Sequence, residues 1–199
     1  MVLVTALALT PLLGVGLGGC AARGFAGDGP APRTASPSAV TTTAPAGSDH
    51  AKIYAEVIRH YLAGPDTSFP ERFALAYVMD RADSTLTETM RGSGGPARTE
   101  PITAADQAYI TNHVKGVSRL EFVDDRDDVV VTNDDKCGVV KNDAILVSVA
   151  PPEGAAPKVT VAINGYVACL GATWLTYVVE RQPTGEWRVT GTTGPMAIA

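Results

Sequence analysis

The chain has 199 residues, 45% of them apolar and 19% charged, with 16 Lys and Arg against 21 Asp and Glu and a formal net charge of -5. That length supports one modest hydrophobic core plus additions. The mild acidity, with no cluster of Lys and Arg anywhere along the chain, excludes a nucleic-acid partner held by release of counterions from a phosphate backbone.

Residues 1–19 carry no charge, and their apolar run ends on small residues at Leu17-Gly18-Gly19-Cys20. This is the pattern of a secretory leader. The tetrapeptide resembles the bacterial lipobox, in which a peptidase cuts before a diacylglycerated Cys, so small residues must precede it and an apolar residue stands three back. The resemblance implies lipidation of Cys20 and anchoring on the outer face of a cell membrane, the diacylglycerol and any further acyl chain being the attachment. Pro11 and the glycines at 14, 16, 18 and 19 make a poor spanning helix, because a bilayer demands every internal hydrogen bond. No Lys or Arg precedes the apolar run, from which a start upstream of Met1 is expected.

Residues 20–48 follow as a tether rich in Ala, Pro, Gly, Ser and Thr, including Gly29-Pro30-Ala31-Pro32 and Thr41-Thr42-Thr43-Ala44-Pro45. Such a segment has too little apolar surface to offset its ordering entropy and reads as a disordered spacer. The remaining residues, 49–199, are enough for a single globular domain.

That domain opens with a helix. Ser48 or Asp49 can cap it, Ile53, Tyr54, Val57, Ile58, Tyr61 and Leu62 recur at three and four, and Gly64-Pro65 stops it. A strand over Phe73–Met79 follows, then a long polar loop from Arg81 to Pro101. Thr103 and Asp106 form a capping box before a second helix that ends near Gly116, and Leu120–Val123 is the next strand. Beyond it the pattern is β throughout. Ala144–Val149 is followed by a Pro-Pro-Glu-Gly turn, alternation at Val159, Val161 and Ile163 leads to a hairpin signal at Asn164-Gly165, and a last hairpin turns at Gln182–Gly185. The order implies an α+β fold: a curved, mainly antiparallel β-sheet with the two helices of the N-terminal half packed on one side.

With Cys20 assigned to lipid, the other two cysteines form an even pair in an exported chain, and a disulfide between Cys137 and Cys169 is expected.

Tyr77–Asp83 and Phe122–Asp128 echo each other, each strand running into acidic residues. If the first two strands are parallel neighbours, their carboxyl ends meet on one edge, where open α/β sheets bind ligands. Asp80, Asp83, Asp125 and Asp128 could then offer oxygens to a hard cation such as calcium, although the spacing is not that of an EF-hand. Exposed acids and arginines pairing with one another explain the same pattern. No nucleophile motif is present, and His50, His60 and His113 are well separated, with His60 placed as a hydrogen-bonded boundary residue. Trp174 and Trp187 could line a groove on the sheet, or pack in its core.

The lipobox, the helix Ile53–Arg59 and the run from Asn164 to Val179 together resemble a family of actinobacterial lipoproteins, over essentially the whole mature domain. That resemblance implies export and anchoring and brings no substrate, cofactor or catalytic residue with it. Two function classes fit these features. The favoured one is a non-enzymatic binding or interaction module of the cell envelope, with an unknown envelope protein or ligand as partner. The alternative is a cation-dependent or hydrolytic enzyme whose site is the acidic edge, and an envelope sensor or inhibitor is a third class.

Overall fold

The computed structural model describes residues 47–64, 66, 67, 69, 72–86 and 97–199. The expected leader, Cys20 and the tether as far as residue 46 lie outside the described residues. At Gly47 the chain is already packed: a Cβ there would come within 2.8 Å of ring carbons of Tyr109.

Helix α1 spans Asp49–Ala63. Ser48 caps it, its hydroxyl accepting from the Ala51 N–H at 3.0 Å, and Gly64 ends it in the left-handed region (φ 85°), donating to the Tyr61 carbonyl. Both ends follow from the residue types: a short hydroxyl satisfies an orphan N–H, and glycine adopts positive φ without a Cβ clash. Helix α2 spans Ala104–Val114, capped by Thr103, whose hydroxyl accepts from the Asp106 N–H. Asp106 in turn accepts from the Thr103 hydroxyl and from the Ser48 N–H, so one carboxylate ties the starts of both helices together. Among the described residues no helix is long and apolar enough to cross a membrane.

The strands are β1 (Leu75–Met79), β2 (Arg81–Asp83), β3 (Thr99–Pro101), β4 (Arg119–Val123), β5 (Val130–Thr132), β6 (Gly138–Val140), β7 (Ile145–Val149), β8 (Glu153–Ala155), β9 (Lys158–Ala168), β10 (Gly171–Arg181) and β11 (Trp187–Ile198). Nine of them form one curled sheet in the order β11-β10-β9-β7-β1-β4, with β6 and β8 paired to β9 and β5 paired to β6, while β2 and β3 pair separately. The fold class is α+β as the pattern implied, and the sheet is a half-barrel. It is antiparallel except around β1, which runs parallel to both β4 and β7. The parallel neighbours follow from the connection: β1 reaches β4 through the β2–β3 pair and α2, and a crossover of that length returns a strand in the same direction.

One face of the sheet carries Ala76, Val78, Ile145, Val147, Val161, Ile163, Leu175 and Tyr177 and packs against α1 and α2. The other face carries Leu75, Tyr77 and Leu146, covered by Val129, Val140 and Ala144 from the excursion that contains β5 and β6. With cover on both sides, β1 and β7 read as unbroken apolar runs, as strands buried on both faces do.

Two turns differ from expectation. Asn164-Gly165 is not a hairpin turn: β9 runs straight through it, and the chain reverses at Cys169-Leu170. Gly165 is required there for a different reason, since the ring of Tyr61 lies over it and leaves no room for a Cβ. Likewise Glu153-Gly154 is not a turn but part of β8, and the reversal into β9 falls at Ala156-Pro157. The last hairpin turns at Gln182–Gly185 as expected, with Gly185 at φ 87°.

The disulfide between Cys137 and Cys169 is present, closing a separation of 32 residues with its Cα atoms 5.4 Å apart. It fastens the turn before β6 to the turn between β9 and β10, and Cys169 is exposed.

Candidate functional site

Helical spacing sets one wall of a groove between the two helices and the last hairpin. Lys52, Glu56 and Arg59 recur at four and three along α1, Tyr109 and His113 at four along α2, so each set shares a face. The turn between β10 and β11 supplies the opposite wall, from Thr184 to Arg188. Together they enclose about 450 Å³.

Glu56 is the unusual residue there, a carboxylate only 4% exposed among Ala55, Val57 and Ile53. A buried charge is tolerated only when paired and hydrogen-bonded. Arg59 meets that demand, with Nε donating to Oε2 at 3.1 Å and Nη2 donating to Oε1 at 3.0 Å and to Oε2 at 2.9 Å. His113 Nε2 stands 3.8 Å from Oε2, and its ring stacks on Tyr109 at 5.9 Å between centroids. Trp187 is 6% exposed, and its indole N–H is buried without a hydrogen-bond partner among the described residues. At the rim Lys52 pairs with Asp49 and Arg188 with Glu186. The Lys52 ammonium holds the Asp49 carboxyl below its ordinary value of 3.8, with smaller help from Arg181 and His50 and against a slight desolvation.

A shallower depression of about 540 Å³ lies along the turn from α2 into β4, and no ionisable side chain there is buried. Another cavity, about 360 Å³, opens at the other end of α1, between Asp66 and the Thr192–Ile198 part of β11. Beside it His60 Nε2 lies 3.0 Å from Asp66 Oδ2 and its ring meets Tyr177 edge to face. Burial, followed by the nearby Asp66 charge, pushes the Tyr177 phenol well above its ordinary range, so this tyrosine stays protonated.

The acidic edge is assembled as topology required. The Asp80 N–H donates to the Val123 carbonyl at 2.8 Å and Arg81 Nη2 to the Asp124 carbonyl at 2.6 Å, so the ends of β1 and β4 meet. Its four carboxylates do not converge. Asp80 accepts from Arg81 Nε, Asp83 from the Thr85 N–H and Asp125 from the Asp127 N–H, while at Asp128 it is the backbone carbonyl that accepts, from Lys141. Among the described residues no three His, Cys, Asp or Glu side chains come together as a metal-holding group. A cavity of about 190 Å³ at this edge is lined by Arg81 and Arg126 as well as Asp83, with the Arg126 guanidinium 4.3 Å from the centre of the Tyr166 ring.

Trp174 and Trp187 do not share a groove. Trp187 joins the core with Leu175, Tyr177 and Val179, and Trp174 stands one residue out of phase with that buried set on β10. Sequence reasoning did not bring Glu56, Arg59, His113 and Trp187 together. The available signal was Glu56 itself, an acid inside the apolar stripe of α1 with an arginine three residues on. No family model matches the chain, and no curated protein or solved structure matches it either.

Proposed function

We propose that this chain is a lipid-anchored extracytoplasmic binding module that holds its ligand in the groove between α1, α2 and the β10–β11 turn, without chemical turnover. The observation that carries the reading is Glu56: a buried carboxylate is costly to keep, and this one is kept at the wall of an open groove. Its engagement by Arg59 through three contacts favours a recognition element over a general base, which must be able to take up a proton. The Cys137–Cys169 disulfide fits an oxidising compartment outside the cytoplasm. The anchor rests on Leu17-Gly18-Gly19-Cys20.

Two measurements test it on the full chain in cells. Cys20→Ser should move the protein out of the membrane fraction or leave an uncleaved precursor, and unmodified Cys20 on a membrane-bound chain with Met1 intact sinks the anchoring. A photoreactive residue at exposed Thr184, on the groove rim, should give adducts that the same residue at exposed Val131 does not. Identical adducts from both positions, or none from Thr184, refute the groove as the ligand seat.

A further inference from the structure

We infer that the groove's ligand is a carboxylate attached to a small apolar body, received by the part of the Arg59 guanidinium that Glu56 leaves free. The inference rests on the reading of this groove as the ligand seat. A guanidinium carries five N–H donors in a planar fork. Glu56 engages Nε and Nη2, and Nη1 has no partner among the described residues although Arg59 lines the groove. One guanidinium nitrogen is therefore left without a protein partner on a residue that lines the groove.

The surroundings admit an anion. Lys52, Arg59 and Arg188 balance Glu56, Glu186 and the rim carboxylate Asp49, on a chain whose net charge is -5. A charge-balanced groove on an acidic protein is a place where an anion meets less repulsion than over the rest of the surface. The rim partners of Lys52 and Arg188 are exposed carboxylates, and exposed pairs of this kind are nearly neutral in free energy, so they exchange partners readily.

The remaining walls select the rest of the ligand. Tyr109 and Trp187 give the groove apolar surface, and its volume of about 450 Å³ is that of a small-molecule site. A carboxylate oxygen accepts from the free Nη1 N–H groups as a charge-assisted hydrogen bond, while Glu56 keeps the Nε–Nη2 side. Inorganic phosphate lacks the apolar body, and as a dianion it would be repelled more strongly by Glu56 and Glu186. A free organic acid and the C-terminus of a short peptide both supply the required chemistry.

The test uses the full chain in detergent micelles, titrated with 3-phenylpropionate, the dipeptide Ala-Phe, Ala-Phe amide and inorganic phosphate, and followed by calorimetry and tryptophan fluorescence. At least one of the two carboxylates should bind. Saturation by 3-phenylpropionate alone identifies a free acid, and saturation by Ala-Phe alone identifies a peptide terminus. The amide should bind about tenfold more weakly than the acid, the loss expected for one charge-assisted pair. Arg59→Lys, which keeps the charge opposite Glu56 and removes the Nη1 donors, should lose a similar factor of about ten. Glu56→Gln should bind the carboxylate more tightly, because it removes a negative charge beside the receiving guanidinium, and unchanged far-UV circular dichroism certifies each variant as folded.

Amide and acid binding equally, phosphate binding more tightly than either acid, or a folded Glu56→Gln variant binding more weakly would each overturn the assignment. If neither acid binds while Thr184 still gives its specific adducts, the ligand class is wrong and the groove reading stands. If Thr184 gives none, the groove reading itself has failed.

Discussion

Replacing Gly165 with alanine tests the packing that places α1 on the sheet. Tyr61 is 1% exposed, its ring lies on the backbone of β9, and its hydroxyl reaches the Thr173 carbonyl on β10 at 3.5 Å. An added Cβ at Gly165 would come within 2.7 Å of Tyr61 Cζ and closer still to the hydroxyl, so the ring must move. Forcing one methyl into a filled core costs about 1 to 3 kcal/mol. For a domain of this size that lowers the midpoint of thermal unfolding by roughly 2 to 12 °C. Removing the ring with Tyr61→Ala costs about 3 to 5 kcal/mol by itself, yet it opens the space that the new methyl needs. The double variant should therefore be more stable than the sum of the single losses by at least about 1 kcal/mol, the signature of residues in contact. Urea unfolding of the four full-length proteins, followed by tryptophan fluorescence, measures this. Additivity within about 0.5 kcal/mol would refute the claim that Gly165 is glycine because of Tyr61.

Three further outcomes are expected. Arg59→Ala strands the Glu56 carboxylate in a buried site and should cost about 3 to 5 kcal/mol, whereas Glu56→Leu with Arg59→Leu should recover most of that loss; equal destabilisation in the two proteins contradicts the pairing. Removing the disulfide with Cys137→Ala and Cys169→Ala relaxes a 32-residue separation and should lower urea stability by about 3 to 4 kcal/mol, an effect absent if the reduced wild type unfolds at the same urea concentration as the oxidised one. Asp106 is held below its ordinary value of 3.8: partial burial raises it, but hydrogen bonds from Thr103 and Ser48 outweigh that. Because the folded value is the lower one, its contribution is present above about pH 4 and fades as pH falls through the depressed folded value. Thermal melts from pH 7 to pH 2 should show a smaller acid loss in Asp106→Asn than in the wild type.

How the site escaped a linear reading is clear from its parts. Glu56 was visible as an acid on an apolar stripe, but an acid there is equally consistent with a helix turned slightly towards solvent. Its meaning depends on His113, 57 positions away, and on Trp187, which reaches the groove only because the β10–β11 hairpin curls over α1. The acidic edge gave the opposite lesson. Periodicity and the helix between the two strands did place the ends of β1 and β4 together. What they could not supply was the direction of each carboxylate, and Asp80, Asp83 and Asp125 turn to the nearest N–H or guanidinium rather than to one another.

Local chemistry determined the elements. The caps at Ser48 and Thr103, the glycine stop at Gly64, the apolar runs of β1 and β7 and the turn at Gln182–Gly185 are legible because each depends on a few adjacent residues and a fixed backbone period. Tertiary structure decided what no neighbour in sequence specifies. Asn164-Gly165 has the composition of a hairpin turn, and it became mid-strand because Tyr61, about a hundred positions earlier, needs the space that only glycine leaves. The curl of the sheet, set by strands that pair at long range, then brought Trp187 to the same groove as Glu56 and lined it with side chains of three separate elements.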